Sequence, residues 1–398
     1  QAGYDDLRQL DVGDFFAVSG EVFRTKRGEL TIAAETWTFL AKAIRPLPEK
    51  WHGLKDIELR YRHRSLDLLA NEESRERFVR RAQLMATVRS ELAALGFLEI
   101  ETPSLHPIPG GTSARPFVTH HNALDLDFYL RIALELYLKR ALIGGIDRVF
   151  EIGKCFRNEG ISTKHHPEFT MLEVYQAYTD YEGMMRLAET LITAVLRDTV
   201  GSLVVEYQGQ TLDFTPPWRR LPMLDAIAAE TGIDLGSLTA DEIVAAAKEK
   251  GIGLPRLSRS QLIDHLFDRF VEPKLVQPTF VTDYPVEISP LAKRRVDAPH
   301  LTERFELFVM HMEIANAFSE LNDPVDQRAR FEAQEALRAA GDEEAQRIDE
   351  EFLFAMEHGM PPTGGMGVGL DRLAMLVTDA ASIRDVILFP TLRPKDDE

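Results

Sequence analysis

The chain has 398 residues, 44% hydrophobic and 28% charged, which suits one large domain with a small one and permits a substantial core. Its 46 Lys and Arg against 64 Asp and Glu give a net charge of −18. This argues against nucleic-acid binding over the whole surface, but it leaves room for a local basic track.

No apolar run reaches the roughly 18 residues of a membrane span, and the N-terminus has no signal-peptide pattern. The single cysteine, Cys155, cannot support an internal disulfide framework, fits a reducing cytoplasmic setting and reads as buried filler.

Alternating segments Phe15–Val22 and Glu29–Phe39, separated by Arg24-Thr-Lys-Arg-Gly28, predict a β-hairpin with a basic turn, too small to bury its own core. Arg24, Lys26, Arg27, Lys42 and Lys50 read either as a basic track or as solvated charges. Residues 48–70 read as a linker with some structure. From about Asn71, residues Phe78, Ala82, Met85, Val88, Leu92 and Leu95 fall at helical spacing until Gly96 stops the helix. A strand, Phe97–Glu101, follows. Gly110 and Gly111 would let backbone approach a ligand closely, although by themselves they read as a surface turn. His120 and His121 are neighbours whose side chains would face opposite ways on a strand, which argues against a metal pair. Tyr129–Arg140 reads as a strand passing into a helix, with Glu135 near the junction.

Two alternating runs, Arg148–Phe156 and Glu168–Tyr178, flank a loop rich in Gly, Ser, Lys, His and Pro and predict an antiparallel hairpin. Its strands carry Arg157, Glu159, Glu173 and Tyr175. Charge at this density suits a strand only if one face is a polar pocket. Arg offers a fork for a carboxylate or phosphate and Glu accepts from an amine, so an amino acid beside ATP fits the set. A solvated hairpin with incidental ion pairs accounts for the polarity as well.

A helix is expected over Gly183–Thr199, then strands Leu203–Glu206 and Gln210–Phe214. Residues 222–275 show helical patterns broken by Gly and Pro, a helical insertion without recognisable chemistry. In Glu303–Asp323 the polar residues Glu306, Glu313, Asn316 and Glu320 sit amid apolar strand residues. Buried carboxylates need cations, either Mg²⁺ or a substrate ammonium; a charged edge strand is the alternative. Asp326–Arg347 reads as a polar, solvated helix. Gly364–Gly369 leads into Asp371-Arg372 and an apolar helix to Val377. No βαβ unit surrounds these glycines, so a dinucleotide-binding turn is rejected.

Phe156-Arg-Asn-Glu-Gly160 followed by His165-His-Pro-Glu-Phe-Thr-Met-Leu-Glu-Val-Tyr175 resembles motif 2 of class II aminoacyl-tRNA synthetases, in detail the bacterial lysyl-tRNA synthetases. The helix and strand leading to Pro103 resemble motif 1, and Gly364–Pro390 resembles motif 3. Glu313–Asp323 is similar to the lysyl block Glu-Ile-x-Asn-x-(Phe/Tyr)-x-Glu-Leu-Asn-Asp.

The resemblance spans about residues 10–391 and implies an α+β fold. An antiparallel sheet flanked by helices would occupy residues 71–398, with the insertion at about 222–275. Residues 1–47 would be the C-terminal part of an OB-fold anticodon-binding domain, so that the chain reads as N-terminally incomplete. The implied activity is lysine–tRNA ligation: L-lysine and ATP give lysyl-adenylate and pyrophosphate, then lysyl passes to the 3′ end of tRNA(Lys). A homodimer, Mg²⁺ and cytoplasmic location are implied with it.

Residue by residue, the resemblance implies that Arg157 bridges the lysine carboxylate and the α-phosphate. Glu159 would read the adenine amine, with Phe169 stacked on the ring. His165 and Arg372 would hold the outer phosphates, and Glu306 and Glu313 the Mg²⁺. Glu135 and the Gly111 backbone would take the α-amino group. Glu320 and Tyr175, with Glu173 close by, would take the ε-ammonium, and Asn316 would support the pocket. The chain departs from the family's usual residues at three places: Leu134 for proline, Met310-His311-Met312 for Gly-Gly-Arg, and His166 for asparagine. A protein-lysylating paralogue and a non-catalytic sensor of lysine or tRNA are the alternative readings.

Overall fold

The computed structural model describes residues 10–45, 54–339, 341 and 344–394, grouped in two compact units, Gln1–Glu76 and Arg77–Glu398. Lys50 and the rest of 46–53 lie outside the described residues.

In the first unit, β1 (Phe15–Arg24) and β2 (Leu30–Ala41) pair antiparallel, and the Arg24 guanidinium donates to Gly28 O across the basic turn. Phe15, Phe16, Val22, Phe23, Leu30 and Ile32 are all exposed, as expected of a two-stranded ribbon, which has no second layer to pack against. Lys42 does not belong to an open basic track: its ammonium is held by Asp11 at 2.5 Å and Asp14 at 2.8 Å. The segment expected as a linker contains α1 (Ile57–Arg62) and α2 (Arg64–Ala70). Buried Asp67 ties them together, accepting from Arg60, Arg64, Asn71 and Ser74 at 2.5 to 3.0 Å. That compensates a carboxylate which would otherwise be costly to bury.

α3 (Glu72–Ala94) buries Leu84, Val88 and Leu92 at helical spacing, and Gly96 ends it with a φ of 80°. The expected strand at Phe97–Glu101 shrinks to β3 (Leu98–Glu99). A small three-stranded sheet joins β4 (Leu105–His106), β5 (Val118–His121) and β6 (Leu126–Leu130), after which α4 (Glu135–Ile143) begins. β7 (Arg148–Phe156) and β8 (Glu168–Ala177) form the expected hairpin. α5 (Tyr181–Thr199) is capped by Asp180 and buries Met184, Ala188, Leu191 and Val195 against the main sheet's core.

β9 (Val204–Tyr207) and β10 (Gln210–Asp213) form a separate ribbon, and β11 (Arg219–Pro222) joins the main sheet. The helical stretch resolves into α6 (Met223–Thr231), α7 (Ala240–Glu249) and α8 (Arg259–Phe270), sharing a core of Ile227, Ile243, Leu262 and Leu266. Thr239 and Ser258 close capping boxes at the starts of α7 and α8.

β12 (Thr279–Thr282), β13 (Arg304–Val309) and β14 (Met312–Ser319) return to the sheet. The polar helix is shorter than expected: α9 (Pro324–Ala339) ends before Gly341, and an unanticipated α10 (Glu350–Glu357) follows. β15 (Thr363–Gly369), α11 (Leu370–Val377) and α12 (Ile383–Val386) complete the described residues.

The main sheet has eight strands in the order β11-β12-β13-β14-β15-β8-β7-β3. Only β11–β12 and β3–β7 pair parallel. β14 is therefore interior, flanked by β13 and β15, which removes the charged-edge-strand alternative.

Candidate active site

Three adjacent central strands present their alternate residues to one face. On β8 these are Phe169, Met171, Glu173 and Tyr175; on β15, Gly365, Gly367 and Gly369; on β14, Asn316 and Phe318. Register sets Gly365 opposite Tyr175 and Gly367 opposite Glu173, so glycine faces the polar side chains. A Cβ on Gly365 would lie 2.0 Å from Glu320 Oε1 and 2.5 Å from a Tyr175 ring carbon. These glycines make room in a side-chain pocket; they do not cradle a dinucleotide.

The cavity there is lined by Gly111, Glu135, Arg157, Glu173, Tyr175, Asn316 and Glu320, among others. All seven residues expected around lysine thus meet. Gly110 and Gly111 are buried, not on a surface turn, and Gly111 has φ 92° with Ala133 and Glu135 crowding its missing Cβ. Glu173 accepts from the Tyr175 hydroxyl at 2.8 Å and from the Leu134 backbone N–H at 3.1 Å. A proline at 134 would have no such donor, so this departure from the family's usual residue adds a bond to the pocket.

Burial pushes Glu173 up to about 7, and the neighbouring Glu135 carboxylate adds to the rise. Glu135 and Glu320 are also raised, by burial that outweighs the pull of Lys139. Lys139 was not singled out by sequence. It is fully buried on α4, 2.5 Å from Glu135 Oε1 and in ion-pair contact with Glu320 Oε2. Its only sequence signal is the four-residue spacing from Glu135, which puts the two on one helix face. Glu320 Oε1 is buried without a hydrogen-bond partner among the described residues.

A second cavity is lined by Arg157, Glu159, Lys164, His165, Phe169 and Arg372, with glycines of β15 as one wall. Arg157 lines both cavities, and its guanidinium lies 5.0 Å from the centre of the Phe169 ring. Burial and the Arg372 charge lower the His165 pKa. His166, which had no assigned role, is a staple. Its Nε2 accepts from Thr391 N–H at 2.8 Å while Nδ1 faces Glu168 O at 2.5 Å. Ile383 N–H donates to Thr163 O, fixing the loop at a second point. Asp371 is a further organiser that sequence reasoning missed, accepting from Thr170 N–H at 2.7 Å and pairing with Arg81 at 2.6 Å.

Glu306 and Glu313 line a third cavity with Lys164, His165, Arg304 and Arg372. Glu306 is held by Arg304 at 2.6 Å and by the Tyr284 hydroxyl at 2.9 Å. Burial raises it to about 7, with Arg304 opposing and Glu313 adding to the rise. Arg304 also donates to Asn316 Oδ1 at 3.1 Å, linking this cavity to the first. Arg372 donates to Glu313 O at 2.6 Å and lies 3.3 Å from its carboxylate.

Among the described residues no three His, Cys, Asp or Glu side chains converge as a metal cage. His120 instead pairs with Asp125 and Asp127, while His121 lies against Phe128. Met310 and His311 both take left-handed backbone, φ 50° and 59°, at the tight β13–β14 turn. Non-glycine residues can thus form the turn that Gly-Gly usually makes, and Lys164 Nζ donates to His311 O at 2.5 Å. None of the helices among the described residues is long and apolar enough to cross a membrane.

The sequence profile of the family described as "tRNA synthetases class II (D, K and N)" matches residues 56–393. Curated relatives are identical to this chain at more than half of the aligned positions. The lysine–tRNA ligase of Moorella thermoacetica is 59% identical over 396 residues, 99% of this chain and 81% of that protein. That of Syntrophomonas wolfei is 57% identical over 397 residues, 99% of this chain and 80% of that protein. That of a Synechococcus species is 56% identical over 389 residues, covering 97% and 78%.

Proposed function

We propose that this chain, which belongs to the class II tRNA synthetases of the aspartate, lysine and asparagine group, activates L-lysine with ATP and transfers it to tRNA(Lys). The observation that carries the choice of lysine is the pocket's far end. There, a buried Glu320 oxygen has no hydrogen-bond partner among the described residues, and Tyr175 and Glu173 line the same cavity. An aspartate carboxylate has no donor and would repel that oxygen, and an asparagine amide offers it only a neutral donor, whereas an ε-ammonium gives it a charge-assisted hydrogen bond.

Lysine lies along the first cavity with its α-amino group at Glu135 and the Gly111 backbone, and its ε-ammonium at Glu320 and Tyr175. Asn316 supports the wall. Arg157, shared by two cavities, takes the lysine carboxylate and the ATP α-phosphate and brings nucleophile and electrophile together. Glu159 reads the adenine amine and Phe169 stacks on the ring, while His165 and Arg372 hold the outer phosphates. The carboxylate oxygen attacks the α-phosphorus in line, the bond to the β-phosphate oxygen breaks, and pyrophosphate leaves. In the second step the terminal ribose hydroxyl of tRNA attacks the acyl carbon and AMP departs. No covalent enzyme intermediate is required; catalysis is positioning and electrostatic stabilisation.

Glu306 and Glu313 are hard oxygen donors in the phosphate-side cavity, so Mg²⁺ fits there. It would offset phosphate charge, with phosphate oxygens and water as its remaining ligands.

The β1–β2 ribbon belongs to an OB-fold domain, and Arg24, Lys26 and Arg27 at its turn contact tRNA. Exposed Leu98, Leu105, Val118, Leu124 and Leu126 support a homodimer through the motif 1 face. The enzyme works in the cytoplasm. The test is pyrophosphate exchange into ATP with each amino acid supplied singly. Exchange with lysine alone is expected; exchange with aspartate or asparagine, or none at all, would overturn the reading.

A further inference from the structure

We propose that Lys139 is a positioning residue of amino-acid recognition: its ammonium, locked between Glu135 and Glu320, favours the ionised form of both carboxylates and holds them aimed at the two amino groups of the substrate. The inference rests on the lysine pocket described above and adds to it a residue that never touches the substrate. Lys139 has no exposed surface and does not line the cavity, whereas its two carboxylate partners do. The rings of Phe318 and Phe352 flank its ammonium at 5.4 and 5.9 Å, so no solvent competes for it.

Charge counting gives the reason for an internal cation in a site built to bind one. Glu135, Glu173 and Glu320 together carry three negative charges when ionised, too many for one buried space without a counter-charge. Lys139 reduces the balance to two, which matches the two ammonium groups of lysine; Arg157 answers the substrate's own carboxylate. Geometry agrees. Lys139 occupies Glu320 Oε2 and leaves Oε1, the unpartnered oxygen, as the acceptor left over for a ligand.

The other groups facing the cluster come from each packed element. β8 supplies Glu173 and Tyr175, β13 supplies Arg304, which pulls on Glu135, and Arg157 follows β7. α10 presents Phe352 to Lys139, and its Glu351 reaches Arg140 instead, at 3.8 Å. Lys139 is therefore the only cation among the described residues in ion-pair contact with both Glu135 and Glu320.

The test is the lysine KM in pyrophosphate exchange at saturating ATP, from pH 6.5 to 8.5, for wild type and Lys139→Met. Without the ammonium the two carboxylates repel and take up protons. The variant's lysine KM should exceed the wild-type value at least tenfold at pH 6.5, and the ratio should fall at least threefold by pH 8.5. The ATP KM should stay within twofold. A merely structural role would raise the lysine KM equally at every pH or disturb ATP as well, and either result overturns the proposal.

If Lys139→Met does not fold, Glu135→Gln is compared with Glu135→Gln/Lys139→Met, which removes a charge pair together. Adding Lys139→Met should raise the lysine KM tenfold at pH 6.5, and no rise overturns the proposal. Absence of lysine-dependent exchange in the wild type overturns the parent reading and this one together. Lysine-dependent wild-type exchange with an unaltered Lys139 variant overturns this one alone.

Discussion

The proposed amino-acid pocket and the proposed phosphate-side cavity are neighbours on one sheet, but they handle charge differently. In the pocket, the Lys139 and Glu320 side chains have no exposure at all, whereas Arg372 and Glu313 keep 20% and 41% of theirs. The first is a closed network whose members fix one another before any ligand arrives. The second contains the partly exposed Arg372–Glu313 pair, weak by itself and easily exchanged for phosphate oxygens. One cavity thus measures its ligand while the other adapts to it. The contrast also separates selectivity from catalysis: losses on the buried side should appear in lysine binding, and losses at the junction in the rate of adenylation.

The largest effect tests the junction. Arg157→Ala removes the one cation lining both the amino-acid and the second cavity, and exchange should fall about 10³-fold in kcat. Near-normal adenylation would break the comparison at its hinge. Next, Glu320→Gln removes the negative charge from the unpartnered acceptor. The lysine KM should rise about 10- to 100-fold, as for a hydrogen bond to a charged group, with the ATP KM unchanged. An equal change in both constants would show that the two cavities are not independent.

Third, titration separates the sides. Folding raises the Glu173 carboxyl from 4.5 to about 7, so the folded state holds its proton more tightly than the unfolded chain. Stability is then lost as pH rises from about 4.5 through about 7, by roughly 3 kcal/mol, and lysine affinity grows over the upper part of that window as the carboxylate forms. Glu173→Gln should show a Tm advantage over wild type at pH 8 but not at pH 4.5, along with a weaker lysine KM. A Tm difference independent of pH would remove Glu173 from the network. Smallest, Leu134→Pro deletes one donor to Glu173. It should raise the lysine KM about 5- to 20-fold at neutral pH, measured by the same exchange, and leave the Arg157 step untouched.

What the sequence made legible follows from period and chemistry. Alternation on β8 places Phe169, Met171, Glu173 and Tyr175 on one face without any coordinates, and the motif resemblance orders the three segments around them. Lys139 stayed hidden because a lysine in an amphipathic helix is ordinarily solvated; only the fold shows that α10 covers that side. Asp67 and α1–α2 were lost for a related reason. Short helices held by a buried carboxylate carry little periodicity, so the segment reads as a linker. Asp371 depends on Arg81 from a helix nearly 300 residues earlier, a pairing no local pattern encodes. The end of α9 was misplaced because charge patterning does not mark a helix terminus as sharply as Gly341 does.

Gly365 has a consequence for selection by length. The end of the pocket is a gauge whose stop is set by a missing methyl group. Alanine at this position would claim space now held by Glu320 Oε1 and the Tyr175 ring. Those two groups would have to retreat, altering the reach at which an amine is met. On the proposed binding mode the discriminating dimension of the site is written in a residue with no functional group, and diversification toward shorter or longer diamino acids would begin there.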